Sequence, residues 1–258
     1  MEHHNNEDTE NNNYVETDPI NDGTIIEESM PQEKQGGNKK WSGLSVRIVS
    51  GAVLASSTLI ILWSGGFLFN LLIILAALQM LREWEKMTDK ETSIWKLAGL
   101  FYISLPCASL LWLRGITTVE NELTGFLLTL HILFIVWATD IGAYFSGKII
   151  GGAKLAPSIS PKKTWSGLGG GMAAAGVTSV VCFFFSPYTT SVIWVIITGF
   201  LISAISQIGD LFESWVKRRA DIKDSSSLIP GHGGLLDRVD GLMFTIPLFA
   251  IIVYLSNA

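Results

Sequence analysis

Apolar residues in this chain are gathered into long blocks instead of recurring at the spacing of one helix face. Seven blocks can be drawn, at residues 45 to 63, 66 to 81, 94 to 113, 123 to 147, 164 to 186, 189 to 209 and 237 to 256. Most approach the ~20 residues that an α-helix needs to cross hydrocarbon. The pattern predicts an all-α, polytopic transmembrane protein of about seven segments. The second block is short and the fourth long, and a broken or re-entrant helix there would raise the count to as many as nine.

Polar residues fall mainly at the N-terminus and in two connections, about 148 to 163 and 210 to 236. Residues 1 to 40 hold ten Asp and Glu against Lys34, Lys39 and Lys40, with many Asn between them. Such a segment buries too little apolar surface to fold, so it is expected to be a disordered tail before a transmembrane domain over 41–258. It has no basic start, apolar run and cleavage site in series, and the first block is expected to be an uncleaved anchor. The formal net charge of -5 therefore belongs to the tail.

The basic residues give orientation, because Lys and Arg are enriched in cytoplasmic loops. With the N-terminus cytoplasmic, all but one of the 18 Lys and Arg fall on one side, and Arg114 alone falls opposite. Both long polar connections then face the cytoplasm, where dissolved nucleotides can reach them. Cys107 and Cys182 lie in apolar blocks and form neither a disulfide framework nor a metal-ligand pattern.

Candidate chemistry begins where the sixth block runs into Asp210, Glu213, Ser214, Lys217 and Arg218. Helical continuation puts Asp210, Ser214 and Lys217 on one face. An interfacial helix end carries cations in any case, which suffices for Arg219. It leaves Asp210 unexplained, because an acid beside the membrane usually has an assigned partner or ion. Lys223-Asp224, three serines, Pro230-Gly231-His232-Gly233-Gly234 and Asp237-Arg238-Val239-Asp240 follow. The glycines read alone as an ordinary turn, but they would also let backbone N–H groups approach phosphate oxygens. Asp237 and Asp240 stand one turn apart at the start of the last block, where either could cap a helix.

The run Ser214-x-x-Lys217-Arg218-x4-Lys223-Asp224-x-Ser226-x5-His232-Gly233-Gly234-x2-Asp237-Arg238-x-Asp240 resembles the signature of the phosphatidate cytidylyltransferases, also called CDP-diacylglycerol synthases. Trp137-x2-Asp140-x3-Tyr144, then Gly147, Lys154, Ser160-Pro161-Lys162-Lys163-Thr164-Trp165, Gly167, Gly169 and Gly170, is similar to the upstream motif of the same family. One position departs: the family commonly has Glu where this chain has Ser166, which therefore stands outside the catalytic set.

The resemblance implies transfer of the cytidylyl group of CTP to phosphatidic acid, giving CDP-diacylglycerol and pyrophosphate. It also implies Mg2+, a second metal such as K+, a homodimer in the cell inner membrane with a cytoplasmic active site, and no nucleic-acid partner. A phosphate monoester with a second pKa of about 6 is largely ionised at neutral pH, so no strong base is needed. Metal ions, cations and positioning must instead bring two polyanions together. Carried over residue by residue, Asp210 and Asp237 are metal ligands, with Asp240 and Asp140 as further candidates. Lys217, Arg218, Lys223 and Arg238, with Lys162 and Lys163, neutralise phosphates. Ser160 and Ser214 donate to phosphate or bind metal, His232 donates to phosphate, and Asp224, Gly233 and Gly234 complete the nucleotide-binding set. A transporter built around Asp140 and a CTP-dependent prenol kinase are the competing readings. The Gly169 to Gly171 and Ala173 to Ala175 runs permit close helix packing, within a protomer or between two.

Overall fold

A computed structural model describes residues 38–118, 121–185, 191–229 and 232–256. The acidic tail drawn over residues 1 to 40 lies almost wholly outside the described residues, as do Pro230 and Gly231. Seven helices follow the apolar blocks: α1 (Asn38–Ser64), α2 (Gly66–Met87), α3 (Ser93–Gly115), α4 (Thr124–Ile149), α5 (Trp165–Phe183), α6 (Val192–Arg219) and α7 (Leu236–Ser256). The last six are long and apolar enough to cross a membrane, and the described apolar part of α1, Ile48–Ser64, is shorter. Neither α2 nor α4 is broken. In lipid an uninterrupted helix is the cheapest way to satisfy the backbone, so the short and long blocks were absorbed by extending helices.

The helices pack in a sequential ring. α4 lies on α5, α5 on α6 and α6 on α7, while α7 returns against α3 and α4. α2 packs on α3, and α1 packs on α2. The main core runs through Leu113, Leu128, Ile132, Ile135, Ile202 and Phe249, all buried. The α4–α5 crossing uses the small residues within one protomer: a Cβ on Gly142 would lie 2.6 Å from both Ala174 Cβ and the Gly170 carbonyl oxygen. The backbones therefore approach directly. Large exposed apolar side chains such as Phe67, Phe101, Ile141 and Trp194 clothe the outside.

Side-chain bridges show that the helix ends alternate. At one end Arg114 of α3 donates from Nε to the Leu62 carbonyl (2.9 Å) and from Nη2 to the Trp63 carbonyl (3.2 Å), closing the last turn of α1. The one basic residue on that side is thus a helix cap, satisfying carbonyls that have no partner within their own helix. Arg114→Ala is expected to lower stability by about 1–2 kcal/mol, read as a fall of a few degrees in the melting temperature of the detergent-solubilised protein.

At the opposite end α2 and α6 continue beyond their apolar blocks, to Met87 and Arg219. Arg219 donates to both oxygens of Glu91 (2.6 and 3.1 Å) and lies over the Trp95 ring. That hydrogen bond holds the Glu91 carboxyl below the usual carboxylate range. Among the described residues the single addition to the helical plan is an antiparallel hairpin, β1 (Lys154–Ala156) and β2 (Ser160–Thr164). It pairs Lys154 with Thr164 and Ala156 with Ser160.

Candidate functional site

Four segments meet at this end: the last turns of α2, the β1–β2 hairpin, the C-terminal half of α6, and the loop that enters α7. The hairpin joins through β2. Lys162 stays exposed, whereas Lys163 turns inward to place Nζ 2.7 Å from Asp210 Oδ2 and donates to the Gln207 carbonyl at 3.2 Å. Asp210 also accepts from Ser214 Oγ at 3.3 Å, one turn on, as its helical spacing requires. Thr164 caps α5 by accepting from the Gly167 N–H (3.0 Å). Ser166 bonds Thr164 Oγ1 and donates to the Gly151 carbonyl, so here it ties the hairpin to the start of α5.

Lys217 forms the second centre. Its ammonium is buried 2.7 Å from Asp237 Oδ1 and 3.1 Å from Oε1 of the fully buried Glu213. The other oxygen of Asp237 accepts from Ser225 N–H (2.8 Å), Ser225 Oγ (3.0 Å) and Gly234 N–H (2.8 Å). Asp237 is therefore the anchor of the loop, with both oxygens engaged.

The glycine-rich turn is engaged in the same way. His232 and Gly233 donate their N–H groups to the Ile229 carbonyl (2.9 and 3.2 Å), and Gly234 donates to Asp237. These N–H groups shape the loop and are not left open for phosphate. Gly233 is needed for its φ of +85°, a left-handed conformation. A Cβ on Gly234 would collide with Ser225 Oγ and lie 2.7 Å from Glu83 Oε2. His232 reaches α1, with Nδ1 3.0 Å from Ser50 Oγ.

Asp140, Asp210 and Asp240 form the third centre. Asp140 lies within Coulombic reach of Asp210, Lys163 and Arg238, and Asp240 within reach of Asp210, Lys217 and Asp140. Among the described residues no three His, Cys, Asp or Glu side chains gather closely enough to cage a metal by themselves. Mg2+ seldom asks for such a cage, because it takes one or two carboxylates and completes its shell with water and phosphate oxygens. Asp210, part-exposed (34 %) and within Coulombic reach of Asp140 and Asp240, fits a cation that arrives with phosphates. Ser160, Lys162, Arg218, Lys223, Asp224 and Arg238 stand at the open end, exposed or half-exposed. Arg218 is steadied by donating to the Ile222 carbonyl (2.9 Å).

One residue of the site was not legible as such: Glu83. Its block ended at Leu81, where charges begin, yet the buried stripe Ile73, Met80, Trp84 and Met87 continues at helical spacing and carries the helix on. Glu83 beside that stripe is 1 % exposed. It accepts from Gln79 Nε2 (3.1 Å), Ser226 Oγ (2.8 Å) and Leu235 N–H (3.0 Å) on Oε1, and from Ser225 Oγ (3.0 Å) and Leu236 N–H (2.9 Å) on Oε2. Trp84 locks this turn by donating from Nε1 to the Trp95 carbonyl (2.8 Å) and packing on Tyr102 and Phe212, with ring centres 5.1 and 6.4 Å away.

Comparison with known proteins agrees with these features. Residues 96–256, which hold both motif regions, match the family model described as the cytidylyltransferase family. A protein named phosphatidate cytidylyltransferase from Rickettsia bellii (strain RML369-C) is 40 % identical over 228 residues, covering 86 % of this chain and 95 % of that protein. Proteins of the same name from Brucella suis biovar 1 (strain 1330) and Rickettsia prowazekii (strain Madrid E) are 37 % and 38 % identical, and the alignments cover 84 % and 87 % of this chain and 94 % and 98 % of those proteins. The six long apolar helices, the two motif regions joined at one end of them and these relatives agree: the chain belongs to the cytidylyltransferase family.

Proposed function

We propose that this multi-pass membrane protein transfers the cytidylyl group of CTP to phosphatidic acid, releasing pyrophosphate and forming CDP-diacylglycerol for phospholipid synthesis. The observation that carries the reading is the Lys163–Asp210 ion pair at 2.7 Å, which brings the two motif regions into one site at the end of the bundle. An ionised phosphate oxygen of the lipid forms the new bond to the α-phosphorus of CTP, and the bond from that phosphorus to the bridging oxygen of the pyrophosphate breaks. The lipid needs no strong base because its phosphate is already largely ionised. Lys162, Lys163, Lys223, Arg218 and Arg238 reduce the repulsion between the two polyanions and steady the negative charge gathering on the leaving pyrophosphate. Ser160 and Ser214 are placed to donate to phosphate oxygens. Asp210, with Asp140 and Asp240, would hold a divalent cation such as Mg2+, with K+ as a second cation. When bound, the cations supply charge neutralisation along the CTP phosphates.

The cytoplasmic orientation of this end, in the inner membrane, is part of the same proposal. It is supported by Lys154, Lys162, Lys163, Lys217, Arg218, Arg219 and Lys223 at the site end, against Arg114 at the other. A homodimer belongs to it as well. Gly169 has open space around it, and Val177 and Val181 on the same helix are exposed, which leaves that part of α5 available to a second copy.

The test is a product assay on detergent-purified protein given radiolabelled CTP, phosphatidate and Mg2+. Labelled CDP-diacylglycerol and unlabelled pyrophosphate are expected, with turnover lost on EDTA treatment and restored by Mg2+. CDP formed with a prenol acceptor would favour the kinase reading instead.

A further inference from the structure

Glu83 is not used by the chemistry above, and it is the most heavily hydrogen-bonded carboxylate among the described residues. Removing a carboxylate from water costs several kcal/mol unless its lone pairs are met. Here five donors meet them. Four of the five come from one loop, as the hydroxyls of Ser225 and Ser226 and the N–H groups of Leu235 and Leu236. The two N–H groups stand at the start of α7, the positive end of its dipole. A side chain from α2 therefore caps α7 from outside and ties its start to Ser225 and Ser226, the residues that follow Lys223 and Asp224. Ser225 Oγ lies 3.0 Å from both Glu83 Oε2 and Asp237 Oδ2, so the α2 carboxylate and the loop anchor share one hydroxyl.

We propose that Glu83 is a positioning residue that holds Ser225 and Ser226 against the start of α7, in the arrangement that binds the nucleotide, acting as an obligate anion. The inference rests on the cytidylyltransferase reading of the site. All five partners donate to Glu83, so an isosteric amide would aim its own N–H2 at a donor and could keep only part of the shell. Phosphatidate stays at the membrane surface, whereas Lys223, Asp224 and Ser227 of the loop are exposed beyond the ends of α6 and α7, on the side from which a water-borne nucleotide arrives.

Equilibrium binding of radiolabelled CTP to the full-length, detergent-solubilised chain reads the inference without turnover, while CDP-diacylglycerol formation by the wild type reads the proposed function separately. Glu83→Gln is expected to weaken CTP binding about tenfold and to lower kcat/KM for CTP about a hundredfold, as misplacement by an ångström does. KM for phosphatidate should stay within about twofold, an unequal effect that general loosening of the fold would not produce. Ser226→Ala removes one half-buried donor and keeps the inference open to test if the first variant does not fold. It should weaken CTP binding about threefold, again without moving KM for phosphatidate. CTP binding unchanged in both variants, or a loss confined to phosphatidate, would overturn the assignment.

Discussion

Asp237→Asn is expected to abolish CDP-diacylglycerol synthesis, with kcat lower by about a thousandfold or more, as when a buried preorganised group is removed. The reason lies in the four donors around the carboxylate. Asp237 Oδ1 takes the Lys217 ammonium, while Oδ2 takes two N–H groups and a hydroxyl. An asparagine in either orientation sets its N–H2 against donors, and Lys217 loses one of two counter-charges. Breaking a buried pair in this way costs about 3–5 kcal/mol, so the melting temperature in detergent should drop by roughly 10 °C. The loop that presents Lys223 and the first turn that presents Arg238 would separate. Thermal melts beside the product assay check the two parts, and a variant with full turnover would remove Asp237 from the mechanism.

The helical plan was legible because membrane segments declare themselves by length and apolarity, and those depend on no distant contact. The site was legible only in part. Asp210 and Ser214 met as their spacing requires, since four residues on a helix is a local relation. Lys163 was singled out as a phosphate-facing cation, but its pairing with Asp210 depends on how a hairpin folds across α6, which no periodicity reports. The strands are three and five residues long, below what alternation can reveal. Asp237 and the glycine turn were singled out by residue type, and their loop contacts were not legible, because the same residue types that bind phosphate also close loops. Glu83 was hidden by the rule that ends an apolar block at its first charges. Its value comes from donors more than 140 residues away along the chain.

Lys217→Met should destabilise the protein about as strongly as Asp237→Asn, and a second substitution separates the causes. The ammonium sits between Glu213 and Asp237, which are 0 % and 4 % exposed in their side chains. Removing the cation leaves the buried Asp237 carboxylate without its counter-charge, at an expected cost of about 3–5 kcal/mol. The variant should accumulate poorly in membranes or melt at least roughly 10 °C lower. Glu213→Gln in the same chain removes the second acid from that gap, while Asp237 keeps its three donors from Ser225 and Gly234. The part of the lost stability that returns is a coupling between neighbours, which the two single variants and the double variant measure directly. Turnover of the double variant then separates the roles of Lys217. The ammonium is almost wholly enclosed, its side chain 10 % exposed, which makes it the brace between α6 and α7, and a refolded double variant should regain activity. A double variant that is stable but inactive would instead put the Lys217 charge on the substrate phosphates, as the signature motif alone implied.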